Sequence, residues 1–214
     1  MNNPEIYDTL ANLNHPTKVD KLLATKPPDF AQYADGIKKI IFDNITEVQL
    51  TLKLIQAGRI TDLPHHRANY LVAMQMKESP LASDSDSTIS QLNQPGIPGI
   101  ESSVTTPPAF GLLLAEFHNG DPMAQYLTPG IMLQIQVAGM TGKYPENGEK
   151  QSDFLNRVAI AHPELSHDHN NNAEVWTLTQ GSIKIIHRTE KDEKSRPLRI
   201  ATYLEIPYDT LTSQ

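Results

Sequence analysis

The stretch from Ser79 to Pro108, SPLASDSDSTISQLNQPGIPGIESSVTTPP, constrains this chain more than any other feature. Ser, Thr, Pro and Gly fill 17 of its 30 positions, and it holds no lysine or arginine. Its few apolar residues follow neither the 3.6-residue period of a helix nor the alternation of a strand. Such a composition buries too little apolar surface to offset the entropy of ordering, and it reads as a flexible linker. A structureless loop this long is unusual inside one compact domain, so the expectation is a division. It leaves a helical part over 1–78, the linker over 79–108 and a β part over 109–214, an α+β class.

The N-terminal part carries helical signals. Asn3 with Pro4 in the first helical position opens a helix through Leu13, and Thr17 is a candidate cap for another before the Lys26-Pro27-Pro28 break. Asp29 is a candidate N-cap for the strongest pattern in the chain. From there Phe30, Tyr33, Ala34, Ile37, Ile40, Ile41, Ile45, Val48, Leu52 and Ile55 follow steps of three and four, with Gly58 as the residue past the end. That predicts one long amphipathic helix, or two collinear ones broken near Asp43-Asn44. A further helix from Asp62, with Leu63, Tyr70, Leu71 and Met74 on one face, would complete an αα-hairpin. His65 and His66 are adjacent, so on a helix they point about 100° apart and do not chelate one ion together.

Charge narrows the partners. The 9 basic and 9 acidic residues before the linker balance, the linker adds 3 acidic ones, and 9 basic against 13 acidic follow, for a net charge of −7. A chain without a basic block lacks the footprint that phosphate neutralisation requires, so nucleic acid is not the expected ligand. The absence of cysteine removes disulfides, thiolate metal sites and thiol nucleophiles, leaving His, Asp and Glu as the strong metal ligands. No run approaches 18 apolar residues and the start lacks a basic-then-apolar leader, so the expectation is a soluble, cytoplasmic protein without membrane insertion.

Beyond the linker, Phe110 to His118 fits a helix or a strand, and Asp121-Pro122 opens a short helical turn to Leu127. From Ile131 the pattern alternates. MLQIQVAG and RVAIAH predict strands, EVWTLT and SIKIIH flank a two-residue turn at Gln180-Gly181, and LRIATYLEI closes a meander or small barrel after the charged loop RTEKDEKSR. That turn would pair Leu178 with Ile183, Trp176 with Ile185 and Glu174 with His187. The apolar members mark this face as buried, so Glu174 and His187 would lie on it near its open end.

Just upstream, His167 and His169 stand at i and i+2, the spacing by which an extended segment offers two imidazoles to one side. With Glu174 they make a 2-His-1-carboxylate set suited to iron(II), manganese or nickel. As local composition, the same His/Asp/Asn run also fits an exposed loop before a strand.

The order His-x-His, four residues, Glu, six residues, Gly (His167, His169, Glu174, Gly181) resembles the first motif of the cupin superfamily. HDHNNNAEVWTLTQGSIKI is similar to its thiol-dioxygenase branch. The resemblance covers roughly 131 to 214 and implies a small antiparallel barrel holding a metal on His167, His169 and Glu174. The chain departs from the pattern at Ala161, where a glycine is expected. In the second motif Ala201 stands for glycine, Pro207 is in place, Asp209 replaces the next glycine, and Thr212 occupies the position of the remaining histidine ligand. His187, opposite Glu174 in the expected register, is the candidate substitute.

Two functions follow. The first is a non-catalytic, acidic interaction protein of adaptor or chaperone type, with a degenerate cupin-like β domain, a protein partner and no cofactor. The alternative is a metal-dependent cupin-like enzyme of dioxygenase type, using His167, His169 and Glu174 with Fe(II), Mn or Ni on a small-molecule substrate.

Overall fold

A computed structural model of the chain describes residues 4–57, 59, 109–118, 122–170, 172–207 and 210. The expected linker, Gly58, the helix expected from Asp62 with His65 and His66, and the second-motif positions Asp209 and Thr212 lie outside the described residues.

Three helices come first: α1 (Pro4–Leu13), α2 (Pro16–Leu23) and α3 (Ala31–Gln56), with a 3-10 turn at Pro28–Phe30 leading into the third. Pro4 does begin α1. For α2 the capping position is His15 rather than Thr17, because Pro16 takes the first helical position. For α3 it is Phe30, since the 3-10 turn absorbs Asp29. The α3 helix runs unbroken through Asp43-Asn44, and Ile37, Ile41, Ile45, Val48, Leu52 and Ile55 form its buried stripe. Each such aliphatic side chain contributes roughly 1.5–3 kcal/mol by leaving water.

The remaining elements are β1 (Ala109–His118), α4 (Met123–Thr141), α5 (Gln151–Ala159), β2 (Leu165–His169), β3 (Ala173–Gln180), β4 (Ile183–Lys191) and β5 (Pro197–Pro207). The strands form one antiparallel five-stranded sheet in the order β1-β5-β4-β3-β2. The β2-to-β5 run is the expected meander, and β1 pairs with its last strand. The helical part and the antiparallel sheet together make an α+β fold. Their apolar residues, from Ile6 and Ile37 to Leu178 and Ile206, enter one hydrophobic core.

Two expected strands are helices. MLQIQVAG belongs to α4, which packs on β1, β4 and β5 and also touches α1, α2 and α3. All residues from Thr128 to Ala138 are buried. A helix covered on every side has no polar stripe, so its sequence shows no helical period. Gln134 and Gln136 of α4 are buried and hydrogen-bonded. The end of α4 is a left-handed Gly142 whose N–H bonds Ala138 O. The other misread segment, RVAIAH, spans the end of α5. Phe154, Leu155 and Val158 pack inward there, while Ile160, just past the helix, is 88% exposed.

The β3–β4 turn is Gly181-Ser182, not Gln180-Gly181. Gly181 has φ +59, the conformation that the first position of a II′-type hairpin requires. Pairing therefore slides by two residues: Leu178 faces Ile185, Trp176 faces His187, and Glu174 faces Thr189. A slide of two preserves the faces, so the apolar set still points inward. Glu5 of α1 holds the turn by accepting from Ser182 N at 3.0 Å and Ser182 Oγ at 2.8 Å.

Candidate functional site

The register lays the inner face of the sheet out in rows. Leu165, Leu178, Ile185, Leu204 and Leu112 stand side by side across all five strands, an apolar row in the core. The next row is His167, Trp176, His187, Thr202 and Ala115, and the one beyond it is His169, Glu174, Thr189, Ile200 and Phe117. Polarity rises towards this end of the sheet, as the sequence implied. A cleft of about 260 Å³ opens there against the start of α5, lined by Gln151, Ser152, Glu174, Trp176, His187 and Thr189. A neighbouring hollow of about 180 Å³ shares Gln151, His187 and Thr189 and reaches Tyr126 and Gly130 of α4.

At the sheet edge the side chains stack. His167 lies flat on Trp176, with ring centroids 4.0 Å apart and planes 6° from parallel, and His169 stacks on His167 at 5.6 Å. His167 Nε2 is 3.2 Å from Glu174 Oε1, which also accepts from Trp176 Nε1 at 3.4 Å. The other carboxylate oxygen accepts from Lys191 Nζ at 2.9 Å. Burial works to raise the Glu174 pKa, but the Lys191 hydrogen bond and charge, the Trp176 N–H and His167 outweigh it and hold the carboxyl below its usual range. Lys191 was missed in the sequence because RTEKDEKSR read as loop. In the structure β4 extends to Lys191, and Asp192 then closes a short turn by accepting from the backbone N–H groups of Lys194 and Arg196.

His187 occupies another environment. It is 3% exposed, and burial pushes its pKa down to about 4 against a weaker attraction from Glu174. Thr202 Oγ1 donates to Pro129 O at 2.6 Å, which commits its one proton, so at 2.9 Å it accepts from His187 Nδ1–H. The neutral ring then presents its Nε2 lone pair to the Gln151 amide nitrogen, 3.4 Å away. Gln151 is oriented in turn by Gln134, whose Nε2 donates to Gln151 Oε1 at 2.9 Å, while Gln134 Oε1 accepts from the Lys26 ammonium. Lys26 has its pKa lowered to about 8 by burial, partly offset by Glu149. The donors all run one way, from Lys26 through Gln134, Gln151, His187 and Thr202 to the carbonyl of Pro129. No local pattern signals this chain, because its members come from elements far apart in sequence.

As candidate metal ligands, His167, His169 and Glu174 are brought together on adjacent strands. His187 is not among them, because the Trp176 indole lies between it and His167 in a row spanning two strand spacings, roughly 10 Å. Among the described residues no group of three or more His, Asp or Glu side chains is arranged to hold a metal ion. To bind an ion there, Glu174 would have to share or give up the contacts that hold it, Lys191 on Oε2 and Trp176 on Oε1. Among the described residues no helix is long and apolar enough to cross a membrane.

No family model, curated protein or solved structure matches the chain.

Proposed function

We propose that this chain is a non-catalytic binding protein of adaptor or chaperone type, acting in the cytoplasm on a protein partner rather than on nucleic acid. The observation that supports this most is the state of Glu174. Its oxygens are taken up by Lys191, Trp176 and His167, so it acts as the tie of an ion-paired aromatic stack and not as an open ligand or base. A general base or metal ligand needs a free lone pair directed at the reacting atom. The formal charge of −7, with no basic block in the sequence, favours a basic or neutral partner surface.

The rival, a metal-dependent cupin-like enzyme, draws on the nearness of His167, His169 and Glu174 on one face. In that reading Glu174 exchanges Lys191 for the metal. Elemental analysis of untagged, full-length protein separates the two. Under the adaptor reading, iron, manganese and nickel stay well below one equivalent and do not change in a His167→Ala/His169→Ala double variant. Near-stoichiometric metal that is lost in that variant would overturn it.

A further inference from the structure

His187 is 97% buried by subtraction from its 3% exposure, yet it lines both hollows at the open end of the sheet. Its Nδ1 is fully used by Thr202. Among the described residues its Nε2 meets one partner, the Gln151 amide at 3.4 Å, a contact longer than a good N–H···N bond and weak enough for a hydroxyl in the cleft to displace. The Gln151 amide has two N–H groups and spends at most one on His187, and its oxygen is occupied by Gln134. The floor therefore offers a weakly engaged acceptor and a spare donor side by side.

A hydroxyl suits that pair, because it donates to one atom and accepts from the other at once. An ammonium can only donate, and it would meet the Lys191 charge on Glu174. An anion would meet the acceptor lone pair of His187 and the Glu174 carboxylate. The hydroxyls of Ser152 and Thr189 on the walls extend the same donor-acceptor chemistry. The volume, about 260 Å³, lies below that of drug-sized pockets and is of the scale of a single sugar ring.

We propose that the cleft between β3, β4 and the start of α5 binds a neutral polyol of monosaccharide size, one hydroxyl of which donates to His187 Nε2 and accepts from the Gln151 amide. The Lys26–Gln134–Gln151 chain fixes this polarity by turning the Gln151 amide nitrogen towards the cleft floor. The site holds or fails independently of the adaptor reading, which the metal content tests.

The experiment is NMR on full-length, 15N-labelled protein, following the His187 ring nitrogens and the Gln151 side-chain amide. The free protein should show the Nδ1–H tautomer of His187. Glucose, titrated to about 100 mM, should shift both sets of signals saturably with a millimolar Kd. Methyl glucoside stands for the end of a glycan chain, and the stronger of the two responses tells a free sugar from a glycan. Butylammonium and inorganic phosphate should leave both signals in place. Gly130→Ala provides a variant that removes no polar group, since a Cβ there would collide with Gln151 Oε1 and push the amide aside. It should keep the backbone spectrum and weaken the sugar response about tenfold, the loss of one hydrogen bond. An Nε2–H tautomer, no response to either sugar, a stronger response to butylammonium or phosphate, or an unchanged response in Gly130→Ala would each overturn the proposal.

Discussion

His167 and His187 stand in the same cross-strand row with one tryptophan between them, and they obey different physics. His167 belongs to the edge strand β2, where only Leu165 is buried. Its side chain keeps 29% of its exposure and rests on an indole face. His187, one strand further in beyond the indole, has lost its water and draws on Thr202 and Gln151 instead. Position along the row decides what a histidine on this face can do. At the edge the imidazole is a stacking and contact group. In the interior it is a neutral hydrogen-bonding element whose two nitrogens have fixed, opposite roles.

The sharpest break should come from the interior partner. Thr202→Val is nearly isosteric, but it removes the acceptor for His187 Nδ1–H, leaving that buried group unpaired, and the second donor to Pro129 O, which lies inside α4 and keeps its helical partner. At about 2 kcal/mol for the abandoned N–H and about 1 kcal/mol for the lost bond to Pro129 O, the loss is about 3 kcal/mol of unfolding free energy, read as a fall in the urea midpoint at pH 7. Thr202→Ser keeps the hydroxyl and should cost far less. Equal losses in the two variants would show that packing, not hydrogen bonding, matters at this position.

Next in size is the pH dependence. In the fold His187 takes up its proton only near pH 4, whereas in the unfolded chain it does so near 6.5. Between those values the unfolded state binds the extra proton, so stability falls as the pH drops from about 6.5 towards 4 and levels off below. The full gap corresponds to roughly 3 kcal/mol. Glu174, with its carboxyl held low, adds a loss that begins only as the pH falls through the ordinary carboxylate range. Urea midpoints at pH 7 and 5 should therefore diverge in the parent and much less in His187→Gln, whose amide does not titrate. Identical slopes in the two proteins would contradict the buried, neutral state.

Legibility in the sequence follows the same divide between edge and interior. The buried stripe of α3 and the strands β3 and β4 could be read because one face meets the core and the other is less covered, which imprints a period, whereas β5 is buried on both faces from Ile200 to Ile206. The helix α4 could not, because core surrounds it and its two glutamines are paid no attention by any periodicity rule. His167, His169 and Glu174 could be grouped in advance, since i, i+2 spacing and a neighbouring strand are local facts. The turn around Gly181 could be located only to within a residue, because glycine fits either loop position until its φ is known. The hydrogen-bonded chain through His187 lay beyond reach, since Gln134, Gln151 and Thr202 meet only after α4 has packed against the sheet.

The smallest effects should lie at the edge. His167→Ala removes a ring stacked flat on Trp176 and a contact to Glu174, but the Lys191 hydrogen bond to Glu174 remains. Aromatic pairs of this kind are worth about 1 kcal/mol, and solvent already reaches the group, so the loss should be of that order. Among the described residues His169 stacks on His167 alone, at the larger separation of 5.6 Å, and its removal should cost less than about 0.5 kcal/mol. In the His167→Ala background it should cost nothing further, because its stacking partner has gone. Urea unfolding of the two single variants and the double variant at pH 7 forms a closed cycle whose coupling energy isolates that stack. A double variant that loses several kcal/mol would show that His167 and His169 share an interior role with His187, and the distinction between edge and interior would fail.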